Sequence, residues 1–298
     1  MLNISVIILT YNEELHIERC INNAKKFAKN IFIVDSFSND NTVEIARSMG
    51  AIVYQNKWEN NYARQFNWAL NNIPITTEWI FRLDADEYLT VELIDELHIQ
   101  IPIIDQNISG LVFPLNRYFL NKFIKRGIGN MNLLRMFKFG IGKCEERWMD
   151  EHIELSSGNT LTINKPFCDH NLNNISWWIA KHNGYSIREA IDLLDIELNL
   201  FNEKNRNKLL SIDAANKRLK KIKYSKMPLF WRSFYYFIYR YIIKLGFTEG
   251  KEAFLWHFLQ GWWYRTLVDA KIFEIKKQCG NDINKIKNFI KKNYDIEI

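Results

Sequence analysis

The chain has no two cysteines within motif distance. Cys20, Cys144, Cys168 and Cys279 stand alone, so neither a CxxC redox centre nor a zinc ribbon is available, and a reducing setting is expected. No uncharged apolar run reaches the ~20 residues needed to cross a bilayer. The nearest, 229–247, carries Arg232, Arg240 and Lys244. No basic leader precedes the strand-like ISVIILT, which argues against a secretory signal and for a cytoplasmic location. That strand is not followed by a Gly-rich phosphate loop, and no internal repeat, low-complexity linker or nucleic-acid-binding motif accompanies it.

What is present is ample material for a core. Of 298 residues 47% are hydrophobic, 14% aromatic and only 25% charged, a balance that excludes a disordered chain. That length suits one large domain with an appendage, or two domains, here divided as 1–175 and 176–298. The net charge of +6 is uneven: nine Lys or Arg fall between positions 204 and 226, so an anionic partner is expected near the C-terminal half.

Residues 4–9 form a continuous β-rich run, the pattern of a strand buried on both faces, and the next segment spaces Leu15, Ile17, Cys20, Ile21 and Ala24 as a helix does. The cycle repeats with strands at 31–36 and 51–55 and helices at 42–49 and 62–70. A fourth strand in EWIFRLDADEYL leads to a helix over 91–98. Connection rules make this a parallel, Rossmann-like α/β sheet, completed by shorter mixed strands between 110 and 172. Beyond Ser176 the spacing is helical at 181–201, 214–223, 231–245 and 253–275.

Three strand ends carry polar groups: Thr10, Tyr11, Asn12 and Glu13 after the first, Asp35 and Ser36 after the second, Asp84 and Asp86 after the fourth. The carboxyl edge of such a sheet is where ligands bind. Asp84 and Asp86, two apart, project to one side of an extended chain and can share Mg²⁺ or Mn²⁺, which takes one or two protein carboxylates plus phosphate oxygens. The plainer alternative is a solvated acidic turn in which Asp84 or Glu87 caps the next helix. Tyr11 suits stacking on a base, and Glu13 or Asp35 suits accepting from a nucleobase or ribose.

SVIILTYNEE, IVDSFSNDNTVEIAR, ARQFNWAL and FRLDADEYL, in that order, resemble the nucleotide-sugar half of the family 2 inverting glycosyltransferases, and the later helices resemble the lipopolysaccharide-core and capsule branch. The resemblance, over roughly 3–175, implies an A-type glycosyltransferase fold that binds a UDP-sugar with Mg²⁺ or Mn²⁺. It places Thr10, Tyr11, Asn12 and Glu13 round the nucleoside, Asp35 on the base and Asp84 near ribose and metal. Asp86 becomes the main metal ligand, Arg64 and Gln65 face the diphosphate, and Arg135 approaches phosphates or sugar. Inverting transfer needs a base, and RWMDEHIEL supplies Asp150 and Glu151 behind Trp148, an aromatic suited to a sugar face. Glu151 is preferred to Asp150, and His152 is a further titratable neighbour. His170 is a candidate third metal ligand.

The segment 226–246 crowds aromatics with Arg232, Arg240 and Lys244 on one side of a helical wheel, and 252–271 repeats the style with Trp256, Trp262, Trp263, Tyr264, Arg265 and Lys271. Two readings stand: a peripheral helix pair on an anionic membrane, or a helical subdomain whose aromatics form its own core or a contact between two copies. The expected activity is hexosyl or N-acetylhexosaminyl transfer to a lipid-linked glycan or lipopolysaccharide core at the inner membrane face, without nucleic acid. A nucleotidyltransferase and a silent membrane-bound adaptor are the alternatives.

Overall fold

Ile4, Val6, Ile7 and Ile8 have no exposed surface at all, so the first strand is enclosed on both faces. Burying each such side chain stabilises by about 1.5–3 kcal/mol. The computed structural model describes residues 1–129, 131–146, 151–201 and 212–297. In chain order β1 (Leu2–Thr10), α1 (Ile17–Ala24), β2 (Ala28–Asp35), α2 (Thr42–Ser48), β3 (Ile52–Gln55), α3 (Tyr62–Asn72) and β4 (Trp79–Asp84) make the βα repeats. Then come β5 (Glu87–Leu89), α4 (Val91–Gln100), β6 (Ile108–Phe119), β7 (Lys122–Ile124), β8 (Asn132–Lys138), β9 (Gly142–Cys144), β10 (Ile153–Leu155), β11 (Asn159–Thr162) and β12 (Phe167–His170). The remainder is helical: α5 (Ile175–Leu198), α6 (Ile212–Ser225), α7 (Trp231–Ile238), α8 (Lys251–Trp256), α9 (Tyr264–Cys279) and α10 (Ile283–Tyr294).

The main sheet runs β3-β2-β1-β4-β8-β6-β12-β5. β3, β2, β1 and β4 are mutually parallel, with Leu9 opposite both Val34 and Asp84, so their carboxyl ends finish level. β8 is antiparallel to β4 and β6, which makes the sheet mixed as expected. The acidic stretch is not one strand running into a helix. Ala85 and Asp86 form a turn, and β5 folds across to pair antiparallel with β12, setting Glu87 opposite Asp169. Thr90, not Asp84 or Glu87, caps α4 by accepting from the Leu93 amide.

The C-terminal helices build a core of their own, in which Ile187, Ile191 and Leu194 of α5 meet Val268, Ile272 and Ile275 of α9 and Ile286 and Ile290 of α10. Phe119, Trp178 and Trp256 join this helical layer to the sheet. A π-helical stretch, Tyr239–Ile243, continues α7, and another, His257–Trp263, joins α8 to α9.

Two expectations about these helices are corrected. Arg232 and Arg240, expected on a lipid-facing side, are each only 2% exposed. Arg232 pairs with Asp269 at 2.5 Å, and Arg240 bonds Gln260 and the Gly127 carbonyl, because a buried guanidinium must find acceptors. A Cβ at Gly127, whose φ is +73°, would overlap the His257 ring. Trp256 and Tyr264 are also core, Arg265 stacks on Tyr224 and Tyr236, and Lys271 donates to Asn183 of α5. Exposed apolar side chains lie elsewhere: Trp231, Tyr235, Tyr239 and Ile243, four residues apart, form one bare stripe with Lys244. Among the described residues no helix is long and apolar enough to cross a membrane.

Candidate active site

The level carboxyl ends of β1, β2 and β4 gather the predicted lip. Tyr11 is 59% exposed, free to meet a planar ligand. Asn12, at φ +55°, ties the β1 loop to the β2 loop: its amide donates to Ser38 Oγ and its Oδ1 accepts from the Asn39 amide. Asp35 has no exposed surface, and its oxygens accept from Thr10 Oγ1 at 2.9 Å, from the Ser38 amide and hydroxyl, and from Gln55. It is the anchor of the lip.

Glu13 binds His16 Nδ1 at 2.6 Å, and the other ring nitrogen of His16 accepts from the Leu172 amide at 2.9 Å. That second bond places the proton on Nδ1 of a neutral ring, so His16 donates to Glu13. Sequence reasoning missed His16, whose partner lies 156 positions away. It also missed Arg19, which donates to the carbonyls of both Asp86 and His170 and so clamps the acidic turn to β12.

Asp84 and Asp86 are both half-buried, with buried Ala85 between them, and both act on the carboxyl of Asp169. Arg135 donates to Glu87 at 2.6 Å and to Asp84 at 3.4 Å, and Arg82 lies 3.9 Å from Asp84. Burial pushes the Asp84 carboxyl up, but Arg135 and Arg82 outweigh it and hold the carboxyl below its usual range. Glu87 is only 2% exposed; burial raises its pKa, with Arg135 opposing. Arg135 is therefore a brace for the acids, buried over Phe167, rather than a side chain open to solvent.

Asp86 accepts from Asn171 at 2.9 Å. Beside it on β12 stands a third acid that sequence spacing did not reveal: Asp169, paired with Arg117 at 3.2 Å. Burial raises its carboxyl, Arg117 lowers it, and Asp86 and Asp84 add to the rise. His170, the expected third ligand, stacks on Tyr118 and hydrogen-bonds Asn121 through Nε2. Among the described residues no three of His, Cys, Asp and Glu enclose a cation unaided. The acids nevertheless fit Mg²⁺ or Mn²⁺: they offer hard carboxylate oxygens from either side of Ala85, for an ion that completes its shell with phosphate and water.

Glu151 precedes β10, whose hairpin with β9 is clamped to α3 by Asn67, which bonds both the amide and carbonyl of Cys144. It lines a recess of about 510 Å³, mouth included, with Arg82, Arg135 and His152. Glu151 thus shares the two arginines that face Asp84. Burial acts against the Arg82 charge, while Cys144, Asp84 and Glu151 hold it up. Asp150 and Trp148 lie outside the described residues.

The helix-borne diphosphate contacts are corrected in part. Gln65, expected to face the diphosphate, is 2% exposed and spends its amide on Ser36 and Asn56, tying α3 to the loops after β2 and β3. Arg64 is exposed and lies near Glu59 and Glu146, at 3.8 and 3.6 Å.

A mixed α/β sheet with acids along the carboxyl ends of its parallel strands is a Rossmann-like arrangement similar to the A-type glycosyltransferase fold. Residues 5–138 match the sequence model of glycosyl transferase family 2. An uncharacterized glycosyltransferase of Rickettsia bellii is 44% identical over 94 residues, 32% of this chain and 31% of that protein. The glycosyltransferase SunS of Bacillus subtilis is 35% identical over 89 residues, 28% of this chain and 20% of that protein. The chain thus aligns with about a third or less of the length of these curated relatives. Among solved structures, a mannosyltransferase of Pyrobaculum calidifontis, in complex with GDP-Man and Mn²⁺, is similar in fold. Its TM-score is 0.50 at 13% identity, covering 91% of this chain and 87% of that one.

Proposed function

We propose that the chain is an inverting glycosyltransferase that moves a hexose or N-acetylhexosamine from a UDP-sugar to a lipid-linked glycan or lipopolysaccharide-core acceptor. The observation that carries this reading is the shared pair of arginines: Arg82 and Arg135 stand between the acids of the β4 turn and Glu151. A donor diphosphate held at the turn then presents its sugar toward the recess that Glu151 lines. Tyr11 and the β1–β2 loops take the nucleoside.

Asp86 and Asp84 would hold Mg²⁺ or Mn²⁺, which when bound neutralises charge on the departing diphosphate. Glu151 accepts the proton of the acceptor hydroxyl as its oxygen bonds to the anomeric carbon and the bond from that carbon to the diphosphate oxygen breaks. The nucleoside diphosphate leaves on the opposite face, so configuration inverts. The mannosyltransferase of similar fold, in complex with GDP-Man and Mn²⁺, supports this reading by fold.

The bare stripe of Trp231, Tyr235, Tyr239 and Ile243, with Lys244 beside it, supports peripheral attachment to an anionic membrane on the cytoplasmic side, where such an acceptor is anchored. The test of the activity is release of nucleoside diphosphate from a panel of UDP- and GDP-sugars with and without Mn²⁺. Asp86→Ala should abolish release while the melting temperature holds. No release from any donor, and no heat of UDP binding with Mn²⁺, would instead favour a silent adaptor.

A further inference from the structure

Helix α5 leaves directly from the acidic lip. The loop before it is pinned at three points: Asn171 bonds Asp86, Leu172 bonds His16, and Asn174 caps the helix by accepting from the Trp177 amide. Trp177, Lys181 and Tyr185 follow at intervals of four and so share one helix face. That face turns back over the strand ends. Tyr185 interacts with the phenol of Tyr62 at the start of α3, and Arg188, a turn further on, lies 6.0 Å over Trp58.

Lys181 is carried into the middle of this span. Its ammonium lies 4.5 Å from the ring centroid of Trp177 and 5.7 Å from that of Tyr185. Asp86, Glu13 and Asp169 all act on its charge, as it acts on Asp84 and Asp169. Yet among the described residues no hydrogen bond or ion pair within 4 Å claims its three donors. A half-buried cation held by ring faces, in an acidic field but bonded to none of the acids, is arranged to bind an anionic group that enters between it and them.

We propose that Lys181 is the phosphate-binding cation of the donor site, taking the diphosphate oxygens from the side opposite the carboxylates of Asp84 and Asp86. The assignment rests on the donor-site reading above and makes α5 part of the catalytic domain's cleft rather than of a separate C-terminal unit. It has a two-signed consequence. Without nucleotide, the ammonium repels a divalent cation from the acids; with nucleotide, it holds the phosphates that the cation also holds.

The test uses the full chain and the variants Lys181→Met, which keeps the stem against Trp177 and Tyr185, Lys181→Gln, and Lys181→Arg. Mn²⁺ binding alone is read by electron paramagnetic resonance, and UDP and GDP binding at saturating Mn²⁺ by calorimetry. Lys181→Met and Lys181→Gln should weaken nucleoside diphosphate binding about tenfold or more and bind Mn²⁺ alone about twofold or more tighter. Lys181→Arg should stay within about threefold of the unaltered chain for the nucleotide. Undiminished nucleotide binding by both neutral variants, or parallel loss of Mn²⁺ and nucleotide, overturns the role of Lys181 alone. Failure of the unaltered chain to bind either nucleotide with Mn²⁺ overturns the donor-site reading and this assignment with it.

Discussion

Replacing Arg135 by Met tests whether the acidic turn depends on its buried brace. Arg135 and Glu87 are in contact at 2.6 Å with side chains 10% and 3% exposed, so neither charge has much water to fall back on. Removing one partner of such a pair costs about 3–5 kcal/mol, because the other charge stays buried. The contact with Asp84, itself 36% exposed and 3.4 Å away, adds at most about 1 kcal/mol. At roughly 2–4 °C per kcal/mol the melting temperature should fall by about 6–24 °C. Glu87→Gln in the same background removes the stranded charge and should restore about half of the loss, a coupling of about 2 kcal/mol or more in the double-mutant cycle.

The same variant has a pH signature. Burial already raises Glu87 with Arg135 present, and without the guanidinium it rises further. A carboxyl whose folded pKa lies above its unfolded value contributes stability below the unfolded pKa and loses it as pH rises through the folded pKa. The deficit of Arg135→Met should therefore be smaller at pH 5 than at pH 8. Chemical denaturation at both values reads it. A loss under about 1 kcal/mol, a coupling under about 0.5 kcal/mol, or a deficit that grows toward acid would refute the brace.

Glu151→Gln should lower turnover by about 10²–10⁴-fold while UDP affinity holds, and full turnover would move the base elsewhere. Serine at Trp231, Tyr235 and Ile243 together should cut co-sedimentation with anionic vesicles about tenfold or more; unchanged sedimentation with loss of a dimer would assign the stripe to a second copy. His257 has no exposed surface, and burial, aided by Arg240, lowers its pKa to about 4. The unfolded ring binds its proton near 6.5 and the folded ring only near 4, so stability should fall as pH drops through that window, by about 3 kcal/mol from this residue. His257→Phe should flatten the slope; a slope equal to that of the unaltered chain contradicts the assignment.

Local pattern alone determined the βα repeats and the polar strand ends, because both rest on neighbours: unbroken apolar runs marked strands enclosed on both faces, and the polar residues that close each run marked the strand ends. A helical wheel likewise grouped Arg232, Arg240 and Lys244, but it is silent on which side of the helix faces out. That was settled by Asp269 and Gln260, 37 and 20 positions away, which drew two of the cations inward and left Trp231 and Tyr235 bare. Gln65 was misplaced for the same reason, since its partners come from loops that only the folded sheet brings to α3. Asp169 reached the acidic lip through strand pairing, His16 through a bond to the residue that precedes α5 by three, and Lys181 through the path of that helix over the strand ends. Each is a contact whose closure entropy the whole core must offset, and no spacing within a single segment encodes it.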